Sequence, residues 1–214
     1  VRGVEECSAV SFYSEVTVGP ADRKLMKMLA LSGPVHAKYR RFITVAMDIT
    51  APLYWWKEFD TYKVGTVANS CSTMHKIADK PFDVADFSVG NLIAYTGRDS
   101  EDDTCTVDVC EKYGYYDDEY NGPLYPYEVF KLVIDMLNVA RDRYNETKDK
   151  RYWWQMIQLL PSSYNQKRTV LLNYEVLSNI YSYRKDHKLD EWRDFCEWIE
   201  TLPLAEGVIF QKDL

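Results

Sequence analysis

The chain has 214 residues, 46% hydrophobic and 14% aromatic, which suits a folded protein with a sizeable core and excludes a disordered tail. A formal charge of −7 argues against nucleic acid or an anionic membrane as the main partner. No apolar run approaches the ~20 residues of a membrane span, and no signal-peptide pattern opens the chain.

In chain order, "PADRKLMKMLAL" (20–31) opens with Pro and Asp and carries Leu25, Met28 and Leu29 at helical spacing, with Gly33-Pro34 as its stop. "RFITVAMDIT" (41–50) alternates and reads as a strand. Ala51-Pro52 starts a second predicted helix, running to about Tyr62. The small-residue run "GTVANSCST" (65–73) suits neither helix nor strand, and lets backbone approach a flat ligand. Between Asp99 and Glu119 stand nine acidic residues against one Lys, part of an irregular solvated excursion at about 95–124 without the ligand spacing of a calcium loop. "YEVFKLVIDMLNVARDRY" (127–144) is the clearest helix, with Val129, Val133, Met136 and Ala140 as its stripe and Phe130 and Leu137 beside it. "RYWWQMIQLL" (151–160) is a further helix, "KRTVLL" a short strand, and "NYEVLSNIYSYR" (173–184) a helix. The last helix, in "LDEWRDFCEWIETL", packs Leu189, Trp192, Phe195, Cys196 and Ile199. Helices dominate over a small sheet, an α+β pattern expected to form a single domain over 1–214.

The five cysteines are odd in number and irregularly spaced, so free thiols, a reducing cytoplasmic compartment and no structural metal are expected. No metal-hydrolase histidine pair, phosphate-cradling glycine loop or Gly-x-Ser-x-Gly elbow occurs. Two stretches carry chemistry. In the first, Asn69, Ser70, Ser72 and Thr73 offer hydrogen-bond partners. Cys71 lies four residues before His75, a spacing that on a helix permits either an activated thiol or a buried cysteine beside a surface histidine. In the second, Asn173 and Arg184 are eleven residues apart; on a helix they share nearly one azimuth at roughly 16 Å separation. Such a face suits a long ligand gripped by an amide and a guanidinium, although an Arg at a helix C-terminus is also favoured by the dipole.

Together these stretches resemble the flavin-dependent thymidylate synthases. In that family a Pro is followed at fixed intervals by Asn, Asn and Leu-Arg; here Pro161 is followed by Asn173, Asn179 and Arg184. The family's Arg-His-Arg, seven residues and Ser align with Thr61-Tyr62-Lys63 and Cys71, and "GPVHAKYRRFITV" is similar to its Glu-His segment, with His36 on the histidine. The resemblance implies a small antiparallel sheet packed with several long helices, in a homotetramer with sites between subunits. It implies FAD held by His36, Thr61, Tyr62, Lys63, Asn173 and Asn179. A dUMP-type nucleotide would be held by Glu58, Asn69, Ser72 and Thr73, with Arg184 on the uracil edge. NADPH and methylenetetrahydrofolate would be co-substrates. The chain departs from the pattern at Thr61, Tyr62 and Glu175, where the family has Arg, His and Arg. It departs again at Thr73 and Ile157, where two phosphate-binding Arg fall. Three readings follow: a flavin enzyme modifying dUMP with Arg184 as a catalytic group, a pyrimidine-modifying enzyme using Cys71 as nucleophile, and a non-catalytic binding or assembly protein of the same fold.

Overall fold

The computed structural model describes residues 18–70, 72–94, 105–107 and 124–210. The predicted acidic excursion falls largely outside these residues, and Cys71 lies outside them altogether. The elements in order are α1 (Pro20–Leu31), a 3-10 turn (Ala37–Phe42), β1 (Thr44–Pro52), α2 (Leu53–Phe59), β2 (Val67–Ser70), α3 (Thr73–Lys76), a second 3-10 turn (Val84–Asp86), α4 (Pro126–Thr147), α5 (Lys150–Leu159), β3 (Asn165–Asn173), α6 (Tyr174–Arg184) and α7 (Asp190–Glu200), followed by a turn at Ala205–Val208. The strands form one antiparallel three-stranded sheet in the order β1-β3-β2, so the fold is α+β as expected. Among the described residues no helix is long and apolar enough to cross a membrane.

The chain divides into two compact units. Among the described residues, the first comprises 18–49, 58–69 and 169–210, and the second 50–57, 70, 72–94, 105–107 and 124–168. In the first, α1 begins at Pro20 with the Asp22 carboxylate accepting the Gly19 N–H at 3.2 Å, which satisfies an otherwise orphaned donor. Its buried residue is Met26, whereas Leu25 and Met28 are half exposed, so the inward face lies one residue away from the predicted one. Helix α6 is capped by Asn173, whose Oδ1 accepts from the Glu175 and Val176 N–H groups, both at 3.1 Å. It buries Tyr174, Val176, Leu177 and Ile180. Helix α7 buries Trp192, Cys196 and Ile199, an i, i+4, i+7 stripe as the sequence suggested.

The second unit is built on α4 and α5, joined through Lys148 in the left-handed region (φ 55°) and the Asp149 N-cap. Phe130, Ile134, Leu137 and Ala140 face inward and meet Ile77, Phe82, Phe87 and Met156 in one apolar cluster. Of the expected stripe, Ala140 is buried and Val133 packs against this cluster, whereas Val129 and Met136 face solvent. Trp55 and Trp56 are both 1% exposed, with ring centroids 4.9 Å apart edge to face, and Trp56 Nε1 donates to the Gln166 carbonyl at 2.9 Å.

Two boundaries differ from expectation for identifiable reasons. Pro52 closes β1 rather than opening a helix: β1 is an edge strand, where a missing N–H breaks no ladder bond. The run "VANS" is strand β2 despite its composition, with all four residues exposed on the opposite edge.

Candidate functional site

Within the first unit the end of α2, the turn after it, the end of α6 and the start of α7 meet around Arg184. The turn is closed by Tyr62 N–H donating to the Phe59 carbonyl at 2.9 Å, which carries the Tyr62 ring back toward α6. Arg184 Nε donates to the Tyr62 hydroxyl at 3.0 Å, and Nη1 donates to Glu58 Oε2 at 2.6 Å. The same carboxylate oxygen accepts the Trp192 indole N–H at 2.9 Å. His187 Nε2 lies 2.9 Å from Nη1 and 3.5 Å from Glu58 Oε2. The Leu189 N–H, donating to Nδ1 at 3.2 Å, orients that ring. The guanidinium carbon stands 4.7 Å from the Trp192 ring centroid and 5.8 Å from that of Tyr62, so cation–π attraction adds to the ion pair.

Arg184 and Glu58 side chains are 18% and 35% exposed, sheltered enough that their charges act at a lower effective dielectric than on an open surface. The network is nevertheless incomplete. Among the described residues, Arg184 Nη2 and Glu58 Oε1 make no hydrogen bond. A guanidinium fixed on one side and open on the other is a preorganised donor.

Beside this network a cavity of about 150 Å³ is lined by Phe59, Asp60, Tyr62, Lys63, Thr66 and Ala68. Thr66 Oγ1 is buried there without a hydrogen-bond partner among the described residues. Leaving such a group unsatisfied costs about 1–3 kcal/mol. Gly65 (φ 83°) closes over the start of α6: a Cβ on it would sit 3.0 Å from Asn173 Nδ2. The close backbone approach expected of this glycine is therefore an approach to Asn173. A forked ion pair joins Arg41 to Glu175 at 2.6 and 3.0 Å, and it holds Arg41 above the usual guanidinium range.

The remaining predicted residues are distributed as follows. His36 precedes the first 3-10 turn and is exposed, as are Thr61, Lys63, Asn69 and Asn179. Thr61 Oγ1 donates to the Glu58 carbonyl at 2.7 Å. Ser72 and Thr73 belong to the second unit, where Thr73 Oγ1 accepts from Gln166 Nε2 at 2.9 Å. Ser72 lines a cleft of about 370 Å³ with Met74, His75, Ile77, Ala78, Tyr144 and Trp153. Thus the structure joins Glu58, Tyr62 and Arg184 directly, and sets Asn173 against the Gly65 loop. His187 and Trp192 are members of the network that residue patterns did not assign to it. His187 lies beyond the end of α6, brought back by a turn in which its N–H donates to the Arg184 carbonyl at 3.0 Å.

Near the network, Cys196 is no nucleophile at neutral pH. Burial, with Glu200 adding, pushes its thiol up to about 12. Tyr181, which donates to Glu200 at 2.6 Å, is likewise raised, first by burial and then by that bond.

No family model matches the sequence, and no curated protein matches it. The fold itself is that of the flavin-dependent thymidylate synthases. It resembles such an enzyme from Helicobacter pylori, crystallised with FAD and dUMP, with TM-score 0.56 and 14% identity, over 90% of this chain and 83% of that one. A second crystal structure of the Helicobacter pylori enzyme with FAD and dUMP gives TM-score 0.57 at 14% identity, covering 92% and 85%. A UMP/dUMP methylase from Streptomyces cacaoi gives TM-score 0.50 at 16% identity when bound to 5-bromo-dUMP, over 89% of this chain and 80% of that one, and 0.51 at 16% identity when bound to 5-bromo-UMP, over 92% and 82%.

Proposed function

We propose that this chain binds a pyrimidine nucleotide of the dUMP type and serves flavin-dependent one-carbon transfer and reduction at its base. The observation that carries the reading is Arg184: on a fold shared with enzymes crystallised with FAD and dUMP, it is clamped by Glu58 and Tyr62 with Nη2 left open. That open nitrogen is suited to a ring carbonyl and to the negative charge that builds on its oxygen when a nucleophile adds at C6. Arg184 is thus the proposed catalytic group, with Glu58 and Asn69 on the nucleotide side and Ser72 and Thr73 as further nucleotide contacts. Cys71 stands at the signature serine position.

FAD fits the donor set of the first unit in kind. The orphaned Thr66 hydroxyl, the Asn173 Nδ2 without a hydrogen bond and the Tyr62 hydroxyl suit the polar edge of an isoalloxazine ring, and Lys63 suits a phosphate. His36, Thr61 and Asn179 add exposed polar groups. The cavity of about 150 Å³ is smaller than the roughly 300–1,000 Å³ typical of ligand pockets. A homotetramer, in which copies complete one another's sites, would supply the rest. When bound, the flavin supplies hydride chemistry that no side chain offers. NADPH and methylenetetrahydrofolate are the proposed co-substrates, and a cytoplasmic location suits them. The protein's own part is to orient the base, exclude water around Arg184 and hold charge there.

Purified protein tests this directly. The expected results are a flavin absorbance band, native or after adding FAD, and heat of binding with dUMP at micromolar concentration. Absence of both would discard the enzymatic reading. A non-catalytic nucleotide-binding role is the second reading, favoured by the Arg41–Glu175 fork, in which an internal carboxylate takes up a cation on the proposed cofactor side. Nucleotide binding without any flavin uptake would select it.

A further inference from the structure

We infer that the outward faces of α1 and α4 are the two halves of one interface between copies of this chain, with α1 of one copy lying antiparallel on α4 of another. This rests on the homotetramer in the reading above and deepens it by naming contact surfaces; nucleotide binding plays no part in it.

Both helices carry an apolar stripe that stays exposed. On α1, Leu25, Met28 and Leu31 recur every third residue, and on α4, Val129, Leu132, Met136 and Val139 recur at steps of three and four. All seven are at least 40% exposed, although each helix buries its other side, α1 through Met26 and α4 through Phe130, Ile134, Leu137 and Ala140. Contiguous apolar surface of this kind marks a protein contact.

Charge selects which stripe meets which. At ~100° per residue, Lys24 and Lys27 flank the α1 stripe on one side, with Arg23 beyond them. Asp22, the one acid of that helix, falls on the other side and is tied to the Gly19 N–H. Along α4, Asp135, Asp142 and Glu146 flank the stripe, with Lys131 as the single cation in their row. Arg143 stands in line with the stripe at its C-terminal end and pairs with Glu146; Asp142, though paired with Arg141, keeps its side chain 62% exposed. Viewed from the N-terminus of each helix, both charged rows lie on the same side of their stripes. Helices that meet antiparallel bring such rows together, whereas parallel ones set them apart. Placing Met28 against Met136 in that sense sets Leu25 opposite Val139 and Leu31 opposite Leu132. It also brings Lys24 toward Asp142 and Lys27 toward Asp135, at the rim of a dry seam. Pairing α4 with a second α4 in the same sense would set acid against acid, and pairing α1 with α1 would set lysine against lysine.

Sedimentation velocity on the full chain without ligand tests this. The native chain is expected to associate at micromolar concentration. Lys24→Glu with Lys27→Glu, and separately Asp135→Lys with Asp142→Lys, are each expected to weaken association at least about 10-fold. Mixed, these two variants match again, the reversed α1 of one against the reversed α4 of the other, and are expected to recombine. A native chain that stays monomeric at high micromolar concentration overturns this inference and the homotetramer with it. Association unchanged by both reversals, or a mixture that does not recombine, overturns this inference alone. Calorimetry with dUMP is read separately, so the nucleotide reading stands or fails apart from either result. Should a double reversal fail to fold, Met136→Asp at an exposed position decides: weakened association supports the interface, and unchanged association overturns it.

Discussion

Around Arg184, nearly every polar atom is committed, and two are left over; around the cleft of Ser72, His75, Tyr144 and Trp153, polar groups sit uncommitted on an apolar floor. In the first neighbourhood a carboxylate, a phenol and an indole ring face fix one guanidinium, so its open nitrogen has a set direction. In the second, the Ser72, His75 and Tyr144 side chains make no hydrogen bond among the described residues, and Trp153 is tied only to the Met74 carbonyl at 3.2 Å. Charge networks define where a ligand atom must be; apolar clefts define only what surface is worth covering. Preorganised donors gain most from the first arrangement, because no reorganisation is needed when a ligand arrives.

Perturbations should separate the two neighbourhoods. The largest effect is expected at Leu137→Ala. This fully buried residue shares a cluster with Ile77, the floor of the cleft, and its loss should cost about 2–5 kcal/mol in urea unfolding. A cost below ~1 kcal/mol would mean that the cleft does not rest on a packed core. Next, Arg184→Lys keeps the charge but removes the planar fork, and dUMP affinity by calorimetry should fall about 10- to 100-fold. An unchanged affinity would move the nucleotide site away from the Arg184 network. Trp192→Phe keeps the ring and deletes the donor to Glu58; roughly 1–2 kcal/mol of stability should go, read by thermal denaturation. The smallest expected effect belongs to Tyr144→Phe and His75→Ala, which should leave dUMP affinity within about two-fold. A larger loss from either would transfer the nucleotide reading to the cleft.

Much of this architecture was legible in the residues, and the failures have physical causes. Helices α4 to α7 follow from apolar periodicity, whereas the capping role of Asn173 emerges only from the structure. The inward face of α4 was read only in part because that helix offers two apolar stripes. Val129, Leu132, Met136 and Val139 point outward, while Phe130, Ile134, Leu137 and Ala140 point inward. Periodicity alone cannot choose between them. Strand β2 was missed because an exposed edge strand needs no apolar or β-branched alternation to be held by its neighbour. In the Arg184 network, spacing reveals single residues but not their partners: Glu58 and Tyr62 come from more than a hundred positions upstream. Only the fold brings them to the same guanidinium, and it also shows that Glu58 engages one nitrogen rather than two.

Asn173 carries a further consequence. Its carbonyl oxygen starts the helix that Arg184 finishes, so one amide anchors the rod whose far tip is the proposed chemical group. Exchanging that amide for an alkyl group would loosen the rod at its root and blur the aim of its tip, even with every atom near the tip untouched. Drift at this position is therefore constrained twice, once by helical geometry and once by aim, and neither constraint can be relaxed alone.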